Sequence, residues 1–304
     1  MVSKQVRRAL LASQIHRQQN ELELWTTLAA GNFAPRVDFP AGYSPYWEFN
    51  GILYPATSGA AISAPAVGGM QRAVLKGVPL SALTRLDANS TGLVGDITNL
   101  RPDRFRAMRY LYLYSTSVSG DISNLAGLSN LAYLHLRATG VSGDIASLAG
   151  LSKLVALYLR ATGVSGDIAS LAGLSKLVAL YLYYTSATCG STFTASWVGM
   201  RDFRAQSCLM SQAAVGNIVE SIWNARARFT YATPNLNVGG TNAAPAGIVA
   251  APPGDGASNS DWNWNAGTGK YEPLTAGAMI WDLAKDVNSE GFKKWAITYT
   301  GGSI

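Results

Sequence analysis

The sequence predicts an α/β solenoid of stacked coils, with an N-terminal helix, a β-rich collar and a C-terminal α/β cap. The first observation is a tandem repeat, since residues 140–162 and 163–185 differ only where Arg160-Ala161 becomes Tyr183-Tyr184. The second is that the same apolar pattern recurs every 23 residues beyond this pair. A fixed period of this length is typical of solenoids, in which each repeat buries its apolar face against its neighbours.

The composition provides enough apolar residues for a core and argues against several classes of function. The chain has 304 residues, 48% hydrophobic and 14% charged, with a net charge of +6. Two basic clusters lack the interleaved aromatics of a nucleic-acid surface, so we interpret both as solvated faces. They are Lys4/Arg7/Arg8 and Arg101/Arg104/Arg106/Arg109. The sequence contains no run of ~20 apolar residues, so it predicts no membrane span. The first residues lack the continuous apolar region of a secretory signal, so no such signal is predicted. We expect synthesis in a cytoplasm.

Residues 1–34 are predicted to form an N-terminal helix for attachment or oligomerisation. Apolar residues recur among charged ones at mixed three- to seven-residue steps, and Gly31, Asn32 and Pro35 end the pattern. These apolar positions are Val6, Leu10, Ile15, Leu22, Trp25 and Leu28. The helix either lies on its own domain or packs with copies of itself or a partner. We favour the second interpretation and expect a homo-oligomer.

Residues 35–80 are predicted to form an irregular collar of short strands and turns, because Pro and Gly alternate there with aromatic residues.

The repeats occupy residues 81–245 and follow the pattern L-x-x-L-x-L-x-x-T-x-V-x-G-D-I-x-x-L. One complete copy runs from Leu131 to Leu148, and the next from Leu154 to Leu171. This pattern resembles the leucine-rich-repeat family, whose period is ~20–29 residues. The resemblance implies a right-handed solenoid. Where the family places Asn or Cys, this chain has Thr116, Thr139, Thr162 and Thr185. A Thr hydroxyl can make a shorter version of the hydrogen-bond ladder that Asn forms between turns.

Cys208 lies 23 residues after Thr185, so we interpret it as a buried ladder residue rather than a reactive thiol. Two cysteines are too few for a disulfide framework. After Cys208, residues 211–229 predict an amphipathic helix, and Leu236, Val238 and Thr241 repeat the strand pattern. This longer repeat is expected to be a capping unit.

Residues 246–304 are predicted to form a C-terminal cap. The stretch 245–270 is predicted to be loop, residues 275–286 a helix and residues 294–300 a final strand. Two stretches, 233–245 (TPNLNVGGTNAAP) and 291–302 (GFKKWAITYTGG), resemble the ends of leucine-rich-repeat proteins encoded by tailed bacteriophages. This resemblance implies a virion protein, located on a particle and made in a host cytoplasm.

The sequence predicts no catalytic, metal or cofactor site. Neither His16 nor His135 has a Cys or His at metal-ligand spacing. No G-x-S-x-G motif accompanies His135 for a Ser-His-Asp triad, and no phosphate-loop motif is present. Asp96, Asp121, Asp144 and Asp167 would stack in a column. Such a column could bind Ca²⁺, but we favour capping of the backbone N–H groups that follow each Asp.

The predicted binding site is the concave face of the strands, because residues that alternate with the inward leucines point outward. Tyrosine offers a large contact area, a polar hydroxyl and few rotamers to restrict, which suits sugar or protein ligands. Alternatively, stacked tyrosines stabilise neighbouring strands only. The candidate residues are Tyr110, Tyr112, Tyr114, Tyr133, His135, Arg137, Tyr158, Arg160, Tyr181, Tyr183 and Tyr184. A second candidate is the aromatic loop of Trp262, Trp264 and Tyr271, as a recognition loop or a packed lid.

The combined prediction is a non-catalytic virion protein of a tailed bacteriophage, as a tail, fibre or head-decoration component. Its N-terminal helix would bind other virion proteins, and its solenoid would bind a host-surface glycan or protein, or a neighbouring virion subunit. The alternative is a bacterial leucine-rich-repeat module or effector that binds another protein. A glycan-processing enzyme would need paired carboxylates in a cleft, which the central turns of the face lack.

Overall fold

The computed structural model describes residues 21–27, 32–65, 70–230, 234–246, 262–265, 268, 270–273, 275–285, 295–299 and 302–304. The chain divides into two compact units, Met1–Val141 and Ser142–Ile304.

The strands of the first unit fall into an N-terminal group and a group of repeats. The N-terminal strands are β1 (Leu22–Thr26), β2 (Asn32–Phe33), β3 (Arg36–Asp38), β4 (Tyr46–Phe49), β5 (Ile52–Pro55), β6 (Ala64–Pro65) and β7 (Gln71–Lys76). The repeat strands are β8 (Arg85–Asp87), β9 (Leu93–Asp96), β10 (Tyr110–Tyr112), β11 (Ser117–Asp121) and β12 (Tyr133–His135).

The predicted N-terminal helix is wrong where the structure describes it, because residues 22–26 are strand β1. Burial alternates along this strand, with Leu22, Leu24 and Thr26 buried between exposed Glu23 and Trp25. That alternation has the two-residue period of a strand, whereas the helix prediction used irregular longer steps. Residues 1–20 of the predicted helix lie outside the described residues.

The segment from residue 35 to 80 contains strands, and several of them share an antiparallel sheet with β1. Strand β1 lies between β7 and β9, and β4 joins β7 to β5. Asn50 and Gly51 connect β4 to β5 with φ of 51° and 76°. Two successive left-handed residues define the hairpin turn whose twist matches that of its strands. The core below this sheet includes Phe33 and Phe49, whose rings stack at 5.0 Å.

The repeats of the first unit form stacked coils of parallel strands. Strands β8, β10 and β12 pair in parallel, with Leu86, Leu111 and Leu134 in register and buried. Each coil then returns through a second parallel strand, as β9 and β11 do, and a short 3₁₀ helix. The predicted inward leucines are therefore confirmed for these strands.

The second unit begins within β13 (Gly140–Asp144), at the division of the chain. Its coils contain β14 (Ala156–Tyr158), β15 (Gly163–Asp167), β16 (Ala179–Tyr181), β17 (Ser186–Thr188), β18 (Asp202–Arg204), helix α1 (Gln212–Asn224) and β19 (Asn235–Asn237). The remaining elements are β20 (Trp262–Asn265), β21 (Lys270–Pro273), helix α2 (Ala276–Lys285), β22 (Ala296–Tyr299) and β23 (Gly302–Ser303).

A parallel sheet organises the second unit in the order β14–β16–β18–β19–β22. Leu157, Leu180, Phe203, Leu236 and Ile297 occupy the same register position and are buried. A helix is observed at Gln212–Asn224 within the predicted 211–229, and a 3₁₀ turn follows at Arg226–Arg228. The helix Ala276–Lys285 and the strand Ala296–Tyr299 lie within the predicted ranges 275–286 and 294–300, of which residues 286, 294 and 300 lie outside the described residues. Trp223 of α1 donates a hydrogen bond from Nε1 to Asp282 of α2, at 2.6 Å. This bond connects the two helices.

Two predictions about the turns need correction. The threonine hydroxyls donate within their own coils, since Oγ1 of Thr139 donates to the Leu136 carbonyl and Oγ1 of Thr162 to the Leu159 carbonyl. Thr185 also approaches the next coil, where its Oγ1 lies 3.7 Å from Sγ of Cys208. The ladder residue after β19 is buried Asn242, not exposed Thr241. Its amide accepts from the N–H groups of Cys208 and Met210 and donates to the Ala205 carbonyl.

Candidate functional site

Outward-facing side chains of the first unit form a compact aromatic and cationic cluster. Tyr110 and Tyr133, paired across β10 and β12, stack with ring centroids 5.1 Å apart. The guanidinium of Arg85 lies 4.5 Å from the Tyr110 ring centroid and 5.2 Å from that of Tyr112. Asp38 accepts a hydrogen bond from Arg85 at 2.8 Å, which holds the guanidinium against the rings. Cation–π contacts of this geometry are stabilising.

His135 belongs to the same cluster and is held between two tyrosines. Its ring stacks on Tyr114 at 4.3 Å and meets Tyr112 edge-on at 6.3 Å. Burial, and then the charge of Arg137, lower the pKa of His135 to about 4. The imidazole is therefore neutral near pH 7 and behaves there as an aromatic surface with hydrogen-bonding nitrogens. Arg137 itself is exposed.

The second unit contains a connected cluster of four side chains, namely Tyr158, Tyr181, Asp202 and Arg204. Tyr158 and Tyr181 meet edge-on at 4.8 Å. The Tyr181 hydroxyl donates to Asp202 at 2.5 Å, and Arg204 donates to both oxygens of that carboxylate at 2.8 Å. Burial and this hydrogen bond raise the pKa of Tyr181, which keeps its hydroxyl protonated. These contacts fix both tyrosine rings before any ligand arrives.

The same unit carries a second group in the next outward column. The guanidinium of Arg160 lies 4.9 Å from the Tyr183 ring centroid and 5.7 Å from that of Tyr184. The two tyrosine rings are 5.6 Å apart. Tyr183 is half-buried, whereas Tyr184 is exposed. The two residues that distinguish the near-identical repeats therefore contact the arginine of the preceding repeat.

The structure brings the predicted site residues into two clusters, one in each unit. The first contains Tyr110, Tyr112, Tyr114, Tyr133, His135 and Arg137, and the second contains Tyr158, Arg160, Tyr181, Tyr183 and Tyr184. Sequence reasoning missed Arg85, Asp202 and Arg204. Arg204 lies 23 residues after Tyr181, so extending the outward columns into the less regular coils would have found it. Ligand binding at either cluster stays a prediction.

The aspartate column caps the 3₁₀ helices. Asp144 Oδ1 accepts from the Ala146 N–H at 2.8 Å, and Asp167 from the Ala169 N–H at 2.9 Å. Asp96 and Asp121 make the equivalent bonds to Thr98 and Ser123. The capping interpretation is confirmed. Within the described residues, no group of three or more His, Cys, Asp or Glu could hold a metal ion.

Both cysteines are buried free thiols. Sγ of Cys208 lies 3.7 Å from Oγ1 of Thr185 and 3.2 Å from the Leu182 carbonyl oxygen, as expected of a ladder residue. Burial raises the pKa of Cys208, and it raises that of Cys189 to about 12. Neither thiol ionises readily near neutral pH.

The predicted aromatic loop is part of a hairpin. Residues 262–265 form β20, which pairs antiparallel with β21. The loop prediction is wrong there because an alternating W-N-W-N stretch fits a strand.

Among the described residues, no helix is long and apolar enough to cross a membrane.

No family description and no curated protein matches this chain. Among solved structures, it is similar to the PEPR1–AtPEP1 complex, at 27% identity and a TM-score of 0.42 over 51% of this chain and 22% of that chain. It is similar to the LRR ectodomain of the Arabidopsis thaliana receptor kinase GASSHO1/SCHENGEN3, at 19% identity and a TM-score of 0.37, over 50% of this chain and 20% of that chain. It is also similar to internalin C2 of Listeria monocytogenes, at 19% identity and a TM-score of 0.35, over 54% of this chain and 74% of that chain. The chain therefore spans about a fifth of the length of the first two of these chains.

Proposed function

We propose that this protein is a non-catalytic interaction module whose outward tyrosine and arginine side chains bind a protein or peptide ligand. The observation that carries the proposal is the fixed geometry of these side chains. In the second unit, Tyr158 and Tyr181 are immobilised by each other and by the Asp202–Arg204 pair. Rings that are already ordered lose little entropy when a ligand binds.

The chemistry of the clusters supports a polypeptide ligand. Tyrosine and arginine are the residue types that dominate binding energy at protein interfaces. Successive parallel strands present them in columns one strand spacing apart, ~4.8 Å. An extended peptide that crosses the strands of the second unit would meet Tyr158 and Tyr181 on successive coils. Ring stacking alone would also stabilise the sheet, so the proposal needs a binding experiment.

The test is selection of ligands from a random 12-residue peptide library on the purified protein. Dissociation constants of the selected peptides are then measured by fluorescence anisotropy for Tyr158→Ala, Tyr183→Ala and the parent. We expect each substitution to weaken binding about 10-fold or more. Tyr43→Ala is the matched control, because Tyr43 is 40% exposed and lies outside both clusters. Equal affinities for all four proteins would refute the proposal.

We also propose, from the sequence resemblance, that the module is displayed on a bacteriophage particle. Residues 1–20 would attach it to other virion proteins or to its own copies. Co-sedimentation of the protein with purified particles tests the location, and particles that lack it would exclude this role. The alternative, a bacterial interaction module or effector, predicts the same tyrosine-dependent binding without particles.

A further inference from the structure

Two large apolar side chains of the second unit are exposed at turns with a left-handed backbone. Tyr184 is 55% exposed with φ 59°, and Leu209 is 81% exposed with φ 59°. Bulky side chains rarely adopt this conformation, since Cβ then approaches the following carbonyl. Strained residues of this kind are concentrated at functional sites.

Other coils place small side chains at the turn position of Tyr184. Each has a similar left-handed φ, between 52° and 56°, and the positions recur with the repeat. They are Ser90, Ser115, Ala138, Ala161 and Ser207. The backbone therefore accepts a small residue at this turn, and the tyrosine ring is not needed to form it.

Tyr184 and Leu209 lie on the same edge of neighbouring coils. The Tyr184 N–H donates to the Gln206 carbonyl at 3.3 Å. Thr185, which follows Tyr184, lies 3.7 Å from the Cys208 sulfur, and Leu209 follows Cys208 directly. We call Arg160, Tyr184 and Leu209 the rim, because they adjoin the strand face on this edge.

Among the described residues, no carboxylate neutralises the charge of the rim. Arg160 stacks on Tyr183 and Tyr184 and forms no ion pair with any carboxylate of the described residues. By contrast, Arg204 on the same sheet is paired with Asp202 at 2.8 Å. The rim therefore combines a cation held on aromatic rings with an exposed aliphatic side chain on the coil that follows Tyr184.

We propose that the rim binds an acidic segment of a protein partner that carries an apolar side chain beside its carboxylate. The inference rests on the proposed function and specifies the ligand of that surface. The carboxylate would pair with the Arg160 guanidinium, which can donate two parallel hydrogen bonds. The apolar side chain would cover Tyr184 and Leu209. Leu209 offers only apolar surface, which favours a polypeptide over a sugar.

The experiment uses the same selected 12-residue peptides and the full chain. Their sequences should be enriched in Asp or Glu next to Leu, Ile, Phe or Trp. Leu209→Ser and Arg160→Gln should each weaken binding about 10-fold, and raising the salt concentration should weaken binding to the parent more than to Arg160→Gln. Met70→Ser is the control, because Met70 is 68% exposed and lies in the other unit.

The two proposals fail in distinguishable ways. Peptides that depend on Tyr158 but not on Leu209 or Arg160 would overturn the rim and leave the proposed function standing. Peptides whose affinity is unchanged by substitution of Tyr158, Leu209 or Arg160 would overturn both proposals. Binding of an acidic glycan that needs Arg160 but is unchanged by Leu209→Ser would overturn the polypeptide assignment.

Discussion

His135 is a residue whose ionisation opposes folding. Its pKa is lowered from 6.5 to about 4, so the unfolded chain binds this proton at higher pH than the folded chain. Stability then rises with pH wherever the unfolded state binds more protons. We expect the free energy of unfolding to decrease as pH falls from about 6.5 to about 4. Urea unfolding at several pH values should show a smaller decrease for His135→Gln; equal pH dependence would contradict this assignment.

Asp144 stabilises its coil by accepting one hydrogen bond from a backbone N–H. Replacing its carboxylate with a neutral acceptor tests whether the hydrogen bond or the charge stabilises the coil. The Asp144→Ala variant loses the bond to the Ala146 N–H and should be destabilised by about 1 kcal/mol. Asp144→Asn keeps an acceptor oxygen and should remain close to the parent. Chemical denaturation measures both, and equal losses for Ala and Asn would indicate that charge rather than capping matters.

At the scale of the element, the Gly-Asp pair explains how one coil accommodates the next. Gly166 has φ 105°, and a Cβ at this position would overlap the Asp144 carboxylate of the preceding coil. The motif therefore combines a cap in one coil with space for that cap in its neighbour. Gly120 and Asp96 are related in the same way, with φ 108°.

This coupling predicts a different response at two glycines of one repeat. Gly166→Ala should be destabilising by about 2 kcal/mol or more, because it adds both backbone strain and a clash. Gly173 lies in the same coil, and a Cβ there would meet no atom within 4 Å. Gly173→Ala is thus the matched control and should change stability by about 1 kcal/mol or less. Thermal unfolding of the two variants would separate these outcomes.

Elements with strong local signals were predictable, and others were not. The Asp caps and the helix after Ser211 follow from patterns confined to a few residues, and both are observed. Strand β1 was missed because its two-residue alternation spans only residues 22–26, within a longer and irregular apolar pattern. Asn242 was missed because a ladder residue is identified by the coil beside it, and that coil is degenerate.

At the scale of the molecule, the period predicted the coils because each repeat must bury the same leucines. It also predicted which tyrosines face outward, since alternation follows once the inward leucines are known. It did not predict the ion pair of Asp202 and Arg204 or the exposure of Leu209. These residues lie in the coil that follows Thr185, whose sequence departs from the repeat, so a period cannot describe them.

The near-identical repeats allow the coil to be tested as an additive unit of stability. Deleting residues 152–174 joins Leu151 to Ser175, which recreates the native Leu-Ser junction and removes one whole coil. Because each coil contacts its neighbours, the shortened protein should remain folded. Its free energy of unfolding should be lower by about 1–3 kcal/mol, in proportion to the number of residues removed. Deleting residues 152–162 is the control, since it removes half a coil and should prevent cooperative unfolding. The whole-coil deletion also removes Tyr158 and Arg160, so it should fold yet bind the selected peptides more weakly, which separates the scaffold from the binding surface.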